Sequence, residues 1–298
     1  MTVATRTRAL LIVNPNAGKR HARAEDLDTA RRILESAGIA LDVVECAETG
    51  PTVEECARRA LSERYDAVIV AGGDGTLQAV AREVLDTDVA VGILPFGSFM
   101  NIAKGLGIPM DPLEAARIIA RGHVRRADVG EVNGHVFFEA AGIGLDAQMF
   151  GAARAVERRR WRRAWRRMAD WATHGTHRIV VEGERDQVTY RAMQVLVLNS
   201  PYYAWSFPVV GGSMHDGLLE IAIFPRMGRR DLIRSLVRLW REGQHEAPPI
   251  VLREREVRIR SDAPLAVHAD GAAAGTLPAT FRCRAGALAV YVPEAKAA

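Results

Sequence analysis

The chain contains 298 residues, of which 48% are hydrophobic and 26% are charged, and its formal net charge is +4. This composition is typical of a soluble globular protein, and the length suits two domains better than one. No apolar run approaches the roughly 20 residues that a bilayer-spanning helix needs, so the sequence predicts no membrane span.

The N-terminus and the cysteines indicate the compartment. The apolar run at residues 9–13 is too short for the core of a signal peptide, and an Asn-Pro pair follows it instead of a small-residue cleavage site. Cys46, Cys56 and Cys283 form no C-x-x-C pair and leave an odd thiol. This pattern favours a reducing environment and ordinary free thiols, so we expect a cytoplasmic protein.

Strands and helices alternate up to about residue 130. The hydrophobic pattern predicts strands at residues 9–13, 40–45, 66–70 and 90–95, and helices at residues 22–37, 52–63, 77–85 and after residue 101. Short units of this kind predict a mostly parallel sheet with helices on both faces. Ligands bind such sheets outside the carboxyl ends of the strands. We therefore expect four strand ends to meet on one rim: Asn14, Thr49, residues 72–76 and residues 97–101.

The turn Gly72-Gly73-Asp74-Gly75-Thr76 follows a buried strand and precedes a helix. Backbone N–H groups at a helix start have no partner within the helix and attract anions, and glycine lets the backbone approach a phosphate closely. Asp74 would repel a bare phosphate, so a divalent cation between its carboxylate and the phosphates explains it better. The alternative is a structural turn in which Asp74 accepts hydrogen bonds from backbone N–H groups. The spacing is not that of a Walker A loop.

The second half of the chain is rich in predicted strands. They lie at residues 135–140, 178–181, 194–199, 218–224, 256–259, 265–269 and 288–292. Many short strands with few helices predict an antiparallel sandwich or barrel. The predicted fold class is therefore α/β followed by β. Residues 1–130 form a mostly parallel α/β domain, and residues 131–298 form a β-rich domain whose last strand can return to the first domain.

A basic aromatic segment, residues 158–167, is the most unusual part of the chain. Trp161, Trp165 and Met168 recur on one predicted helical face, and arginine fills most of the rest. Such a helix suits an anionic membrane surface. Packing on its own domain is the main alternative, while nucleic acid is not the expected partner. A second basic amphipathic stretch at residues 229–241 fits either of the first two interpretations. The residues expected to contact the membrane are Arg158, Arg159, Arg160, Trp161, Arg162, Arg163, Trp165, Arg166 and Arg167.

Several motifs follow one another in a specific order. After an Asn-Pro pair and the GGDGT turn come Leu94-Pro95-Phe96-Gly97-Ser98, Gly105-Leu106-Gly107-Ile108-Pro109, Asp128-Val129-Gly130, Gly142-Ile143-Gly144-Leu145-Asp146-Ala147, Asp216-Gly217-Leu218-Leu219 and His268-Ala269-Asp270-Gly271. Over nearly the whole chain this order resembles the diacylglycerol kinase catalytic-domain family, which includes bacterial lipid kinases and sphingosine kinases. The related NAD kinases share the GGDGT turn, but a different second half is expected of them.

The resemblance implies transfer of the γ-phosphate of ATP to a lipid hydroxyl, with Mg²⁺ as cofactor and diacylglycerol as the leading substrate. It implies a nucleotide-binding first domain, a lipid-substrate second domain and a site between them. A peripheral position on an anionic membrane would give the enzyme access to its substrate.

The same resemblance implies roles for individual residues. Asp270 matches the general base, and Asp74 matches a ligand of the catalytic Mg²⁺. Ser213, Asp216 and Leu218 match a second Mg²⁺ site that is structural. The residues that match nucleotide contacts are Asn14, Thr49, Gly72, Gly73, Gly75, Thr76, Ser98 and Asn101.

Three positions depart from the family pattern. Ser98 stands where threonine is usual, Met100 stands where asparagine is usual, and Ala272 stands where glutamate commonly follows the Asp-Gly pair. These departures leave room for a weak kinase, an altered substrate or a lipid-binding relative with little catalysis. An NAD kinase-like enzyme that acts on a soluble nucleotide is a separate alternative. The oligomeric state is also open, a homodimer included.

Two of the proposed acidic residues have a simpler interpretation. Asp216 and Asp270 each precede glycine, and Asp-Gly is a common hairpin-turn pair. His268 shares a strand face with Asp270 and could tune its site, but an exposed strand histidine is the favoured expectation.

Overall fold

A computed structural model describes residues 7–15, 21–47, 50–144, 176–203, 207–208, 211–225 and 249–294. Thr49, the basic aromatic segment and residues 229–241 lie outside the described residues. The chain divides into two compact units. The first unit is Met1–Asp128 with Ala285–Ala298, and the second unit is Val129–Arg284.

The first unit contains a parallel sheet. Its strands are β1 (Arg8–Val13), β2 (Ala40–Glu45), β3 (Ala67–Gly72) and β4 (Ala90–Pro95). They follow the order β2-β1-β3-β4, and every neighbouring pair in that order is parallel. β3 and β4 are buried throughout, as is most of β1. Continuous apolar runs are typical of parallel strands that are covered on both faces.

Helices connect these strands: α1 (His21–Ser36), α2 (Val53–Ser62), α3 (Asp74–Glu83), α4 (Asn101–Gly105) and α5 (Pro112–Arg121). A capping box fixes the start of α2. Thr52 Oγ1 accepts a hydrogen bond from the Glu55 backbone N–H at 3.1 Å, and Glu55 Oε2 accepts one from the Thr52 N–H at 2.8 Å.

Helix α3 begins earlier than the sequence pattern predicts. The apolar periodicity places its start at Leu77, but the structure places it at Asp74, with Gly73 as the N-cap. Asp74 therefore occupies the first turn of the helix, where a carboxylate interacts favourably with the helix dipole. The periodicity misses this turn because Asp74 and Gly75 carry no apolar signal and glycine is a poor helix former.

The second unit is built from antiparallel strands. They are β5 (Val124–Val132, which starts in the first unit), β6 (His135–Phe137), β7 (Ala140–Gly144), β8 (His177–Glu182), β9 (Gln187–Leu198), β10 (Tyr202–Tyr203), β11 (Phe207–Pro208), β12 (Leu219–Pro225), β13 (Ile250–Glu254), β14 (Glu256–Ser261), β15 (Ala266–Ala269), β16 (Ala272–Thr276) and β17 (Ala279–Tyr291). β9 is central because it pairs with β7, β8 and β12. The last part of β17 belongs to the first unit, where Val290 pairs in parallel with Val91 of β4.

The strands of the second unit differ in detail from the prediction. The single strand expected at residues 135–140 is two strands, β6 and β7, and the predicted short strand at residues 194–199 is the end of the much longer β9. β5 and β16 carry too many charged or small residues to give a strand signal, and β13 has only three aliphatic residues before Arg253 and Glu254. Their cross-strand neighbours compensate, because β-propensity mainly reflects packing against such neighbours.

Alternating side chains of these strands build the core of the second unit. Phe137, Phe281 and Ile259 are fully buried in one cluster, and Ala140, Leu198 and Tyr203 belong to a smaller one. Gly130 lies directly opposite Phe137, and a Cβ at this position would collide with the Phe137 ring. None of the helices in the described ranges is long and apolar enough to cross a bilayer.

Candidate functional site

Two glycine turns of the first unit contact each other through their backbones. One turn follows β3 and contains Gly73, and the other follows β4 and contains Gly97. A Cβ added to Gly97 would lie 2.6 Å from the Cα of Gly73 and 2.6 Å from the Sδ of Met100. Because real Cβ atoms do not approach other atoms so closely, the contact requires glycine at position 97. A Cβ on Gly72 would similarly lie 2.9 Å from the Cβ of Thr76.

A side-chain hydrogen bond joins the end of β1 to the start of α3. Asn14 Nδ2 donates to Thr76 Oγ1 at 2.8 Å, and the Asn14 backbone N–H donates to the Ala71 carbonyl oxygen at 3.0 Å. Thr76 is buried, with 7% of its surface exposed. Asn14 therefore holds the first turn of α3 against the carboxyl edge of the sheet.

An open cleft of about 490 Å³ lies at this edge of the first unit. The residues that line it are Asn14, Val53, Glu54, Gly73, Gly75, Thr76, Ala79, Gly97 and Ser98. The N-cap residue of α3, Gly73, has no side chain that could cap the helix, so backbone N–H groups of its first turn can bind a ligand. Uncapped N–H groups beside glycine backbone form a site suited to an anion such as phosphate.

The cleft brings together several of the residues predicted to bind nucleotide. Asn14, Gly73, Gly75, Thr76 and Ser98 all line it. Two other predicted residues do not line the cleft. Gly72 packs against the Thr76 side chain, and Asn101, at the start of α4, is only 2% exposed.

Sequence reasoning did not select Val53, Glu54 and Ala79, which also line the cleft. The capping box at Thr52 marks the start of α2, but nothing in the sequence shows that this helix start faces the glycine turns.

Asp74 contacts the start of α4. Its Oδ1 lies 3.4 Å from the Ile102 backbone nitrogen. Burial raises the pKa of the Asp74 carboxyl, and hydrogen bonds from the backbone N–H groups of Ile102, Asn101 and Met100 oppose that rise. Asp74 thus connects the first turn of α3 to the first turn of α4, and it does not line the cleft itself.

A magnesium ion at Asp74 would rely on other ligands as well. In the described ranges, no group of three or more His, Cys, Asp or Glu side chains is arranged to hold a metal. Mg²⁺ is commonly bound through one or two carboxylates together with phosphate oxygens and water. A single half-buried carboxylate beside an anion cleft fits that mode of binding, in which the ion arrives with the nucleotide.

Met100 adopts an unusual backbone conformation. It precedes α4 with φ 51° and ψ 47° in the left-handed region, which asparagine tolerates better than methionine. The Met100 side chain is 1% exposed and packs against Gly97. The departure from the family pattern therefore replaces a polar side chain with an apolar one that fills the space beneath the second glycine turn.

Asp270 of the second unit is the first residue of a tight hairpin turn. Asp270 and Gly271 have φ values of 46° and 79° and connect β15 to β16, as in a type I′ turn. The carboxylate accepts three backbone N–H hydrogen bonds, from Phe138 at 2.7 Å, Glu139 at 3.0 Å and Ala140 at 3.1 Å. These bonds anchor the loop before β7 and stabilise the ionised carboxylate, which weakens it as a base.

His268 is not an exposed strand residue, so that expectation is wrong. Only 2% of its surface is exposed, and its Nδ1 accepts a hydrogen bond from the Gly271 backbone N–H at 3.2 Å. β15 pairs with β16 on one side and β7 on the other, so it is not an edge strand, and local alternation could not predict this burial. Asp270 itself lies in the turn after β15 and not on the strand.

The loop proposed as a second Mg²⁺ site has internal partners. Asp216 Oδ1 accepts from the Leu218 backbone N–H at 3.1 Å, and Arg253 Nη2 lies 2.5 Å from Asp216 Oδ2. Ser213 Oγ accepts from the His215 N–H at 3.2 Å. The carboxylate of Asp216 therefore already has a cationic partner, the Arg253 guanidinium, and a metal ion there would compete with it.

Glu220 lies beside this loop and is completely buried. Neither of its carboxylate oxygens has a hydrogen-bond partner in the described part of the chain, although Arg253 Nη2 is 3.3 Å from Oε1. Burial, followed by the Asp216 charge, raises the pKa of Glu220 to about 7, while Arg253 opposes the rise.

Glu220 should make stability dependent on pH. The pKa of Glu220 is higher in the folded protein than its ordinary value of 4.5. The protonated Glu220 therefore contributes to the free energy of unfolding fully below about pH 4.5, and this stabilisation is lost as the pH rises through about 7. The expected loss is on the order of 3 kcal/mol. Glu220→Gln should flatten the free energy of unfolding between these pH values, as measured by urea denaturation. The exposed Glu184→Gln is the control, and equal slopes for wild type and Glu220→Gln would contradict the prediction.

Comparisons with known proteins identify both halves of the chain. Residues 8–132 match the family model of the diacylglycerol kinase catalytic domain, and residues 140–292 match that of the YegS C-terminal NAD kinase beta sandwich-like domain. The predicted fold class, an α/β domain followed by a β-rich sandwich-like domain, is confirmed.

Relatives that match over the whole length include two named diacylglycerol kinases. One from Staphylococcus carnosus is 27% identical and covers 97% of this chain and 96% of its own. Another, from Staphylococcus aureus, is 27% identical and covers 93% of this chain and 89% of its own.

Solved structures with the same fold include a diacylglycerol kinase from Bacillus anthracis, with a TM-score of 0.73, 20% identity and coverage of 96% of this chain and 97% of that one. Yeast NADH kinase is more distant, with a TM-score of 0.55, 10% identity and coverage of 98% and 85%. The two family models together span most of the chain, so the chain belongs to the family of proteins that combine a diacylglycerol kinase catalytic domain with a YegS C-terminal domain.

Proposed function

We propose that this chain is an ATP- and Mg²⁺-dependent lipid kinase that transfers the γ-phosphate to a lipid hydroxyl, with diacylglycerol as the leading substrate. The cleft of the first unit is the observation that carries the proposal. A helix start with glycine as its N-cap and two closely packed glycine turns offer backbone N–H groups to phosphates, and relatives that match nearly the whole chain are named diacylglycerol kinases.

In this proposal the residues of the cleft bind and orient the phosphates. The backbone at Gly73, Gly75 and Gly97 admits them closely, and the bond from Asn14 holds Thr76 and the first turn of α3 in place. Mg²⁺, held by Asp74, would neutralise charge on the phosphates. Phosphoryl transfer depends mainly on such alignment and charge neutralisation.

Asp270 is the proposed base that accepts the proton of the lipid hydroxyl. Its three N–H partners fix the carboxylate in position, and in this proposal one of its oxygens accepts the proton. A modest base is sufficient, because in a loose transition state the bond to the attacking oxygen is hardly formed and little positive charge develops on that oxygen.

Asp270→Asn should lower kcat about 10²–10⁴-fold while the KM for ATP changes little, because the proton acceptor is lost. The amide also replaces one of the two oxygens that accept backbone N–H bonds, so some loss of stability is expected as well. The backbone should tolerate asparagine, since Asn133-Gly134 forms an equivalent turn with φ values of 50° and 77°. Steady-state kinetics measure the change in kcat and KM, and thermal unfolding of the same samples shows whether the variant is still folded. Full activity of the Asp270→Asn protein would remove the base assignment.

The substrate is tested by incubating the purified protein with labelled ATP, Mg²⁺ and a panel of lipids that contains diacylglycerol. Label in one lipid species supports the proposal. NAD should be tested in parallel, since the fold is also that of an NADH kinase. Label in NAD alone would favour a soluble nucleotide as acceptor, and lipid binding without ATP turnover would favour a non-catalytic relative.

The basic aromatic segment is proposed to dock on anionic membrane. Reversing Arg162 and Arg163 to glutamate should weaken binding to anionic vesicles by at least about tenfold, because each basic residue near such a surface contributes about 1 kcal/mol. Sedimentation with vesicles of phosphatidylserine and phosphatidylcholine measures this. The same reversal at the exposed Arg121 and Arg125 is the matched control. Equal binding of both double variants would favour packing of the segment on its own domain.

A further inference from the structure

Two cysteines that the proposed function does not use lie against each other in the first unit. The Sγ atoms of Cys46 and Cys56 are 3.2 Å apart, and the two residues are 8% and 2% exposed. A disulfide bond requires about 2.05 Å between the sulfurs, so a movement of about 1 Å would bring them to bonding distance.

The two thiols belong to elements that border the cleft. Cys46 follows β2, and its backbone N–H is bonded to the Val13 carbonyl oxygen at 2.9 Å. Cys56 lies in the first half of α2, shortly after Val53 and Glu54, which line the cleft. The residues between the two cysteines therefore include part of the cleft wall.

We propose that Cys46 and Cys56 are a site of reversible oxidation whose disulfide moves the start of α2 and weakens nucleotide binding. The disulfide itself is independent of the proposed function, whereas the effect on nucleotide binding rests on it. A hydroperoxide is the class of oxidant that is small enough for a buried pair.

The reaction is balanced with one peroxide per disulfide. One thiolate attacks a peroxide oxygen, which gives a sulfenic acid and hydroxide. The second thiol then displaces the hydroxyl group of the sulfenic acid, which forms the S–S bond and releases water. Two thiols and one hydrogen peroxide thus give one disulfide and two molecules of water, and a dithiol reductant reverses the change by exchange.

The burial of the pair determines how the reaction proceeds. Burial, together with the neighbouring Cys56 thiol, raises the pKa of Cys46 to about 12, and only a thiolate is a good nucleophile. Oxidation of the folded protein is therefore expected to be slow and selective for this pair, since the first thiolate that forms has a thiol within reach.

Mass spectrometry tests the disulfide directly. Both cysteines lie in one tryptic peptide, residues 33–58, because no lysine or arginine lies between positions 32 and 58. After incubation of the full chain with hydrogen peroxide, this peptide should lose about 2 Da, the mass of two hydrogens, and dithiothreitol should restore it. Cys46→Ser and Cys56→Ser should abolish the loss, and Cys283→Ser should keep it. Peroxide-treated protein with both thiols still free for alkylation would overturn the proposal, provided that the urea-unfolded chain is oxidised under the same conditions.

Calorimetric titration with ATP and Mg²⁺ tests whether the disulfide weakens nucleotide binding. The oxidised protein is expected to bind ATP several-fold more weakly than the reduced protein, and the difference should disappear in Cys56→Ser. A disulfide that leaves the affinity unchanged would overturn the coupling. If neither form binds ATP, the proposed function fails while the mass measurement still decides the oxidation site.

Discussion

Asp74→Asn is expected to lower phosphoryl transfer by about 10³-fold or more, because it removes the carboxylate of the first glycine turn that is proposed to hold Mg²⁺ beside the phosphates. The fold should survive. Asparagine keeps an oxygen that can accept the hydrogen bond from the Ile102 N–H, which Asp74 Oδ1 accepts at 3.4 Å. Initial rates with labelled ATP and the accepted lipid, together with thermal unfolding, measure the two effects.

Asp111→Asn is a matched control for this variant. Asp111 also caps a helix in the first unit, since its Oδ1 accepts from the Leu113 N–H at 2.8 Å at the start of α5. Asparagine and aspartate are nearly equivalent at such positions, and the change in net charge is the same. Asp111→Asn should retain wild-type rates. Equal rates for Asp74→Asn and Asp111→Asn would show that Asp74 only caps α4.

Gly97→Ala and Gly75→Ala are expected to change stability in opposite directions. A Cβ at position 97 would press on the Gly73 backbone at 2.6 Å, so the two glycine turns must separate, at a cost of about 1–3 kcal/mol. A Cβ at position 75 would meet no atom within 4 Å. Because Gly75 lies in α3, alanine there should stabilise the protein by up to about 1 kcal/mol.

Both glycine variants should nevertheless bind ATP more weakly. Gly97→Ala displaces the backbone that approaches the phosphates, and Gly75→Ala places a methyl group in the cleft that Gly75 lines. Urea denaturation and calorimetric titration of the two variants measure stability and affinity separately. Unchanged stability of Gly97→Ala would mean that the turns do not pack as described, and unchanged affinity of Gly75→Ala would place the phosphates elsewhere.

Asp216 illustrates how the structure changes the interpretation of a motif. The resemblance assigned Asp216 to a metal site with Ser213 and Leu218. In the structure, Arg253 lies 2.5 Å from the Asp216 carboxylate, and the buried Glu220 lies nearby. Arg253 lies on β13 directly opposite Glu220 on β12. Since the contact depends on which residues face each other across two strands distant in sequence, no local pattern could predict it.

The N-terminal fold was largely predictable from the residues alone. Continuous apolar strands and amphipathic helices alternate there, and each element is defined by local periodicity, so β2 and β4 were predicted to the residue. Asn14 and the glycine turns were also predictable as neighbours, because consecutive parallel strands bring their carboxyl ends to one edge. The order of the motifs along the chain also indicates the family.

Other features depend on contacts between distant residues, which local periodicity does not encode. The start of α3 at Asp74, the burial of His268 and the three N–H groups around Asp270 all follow from packing and strand pairing. The same holds for the Cys46 and Cys56 sulfurs, which a sequence without a C-x-x-C pair presents as unrelated thiols. Local patterns thus determine which elements form, whereas packing determines which atoms they bring into contact, and the chemistry of the cleft depends on those atoms.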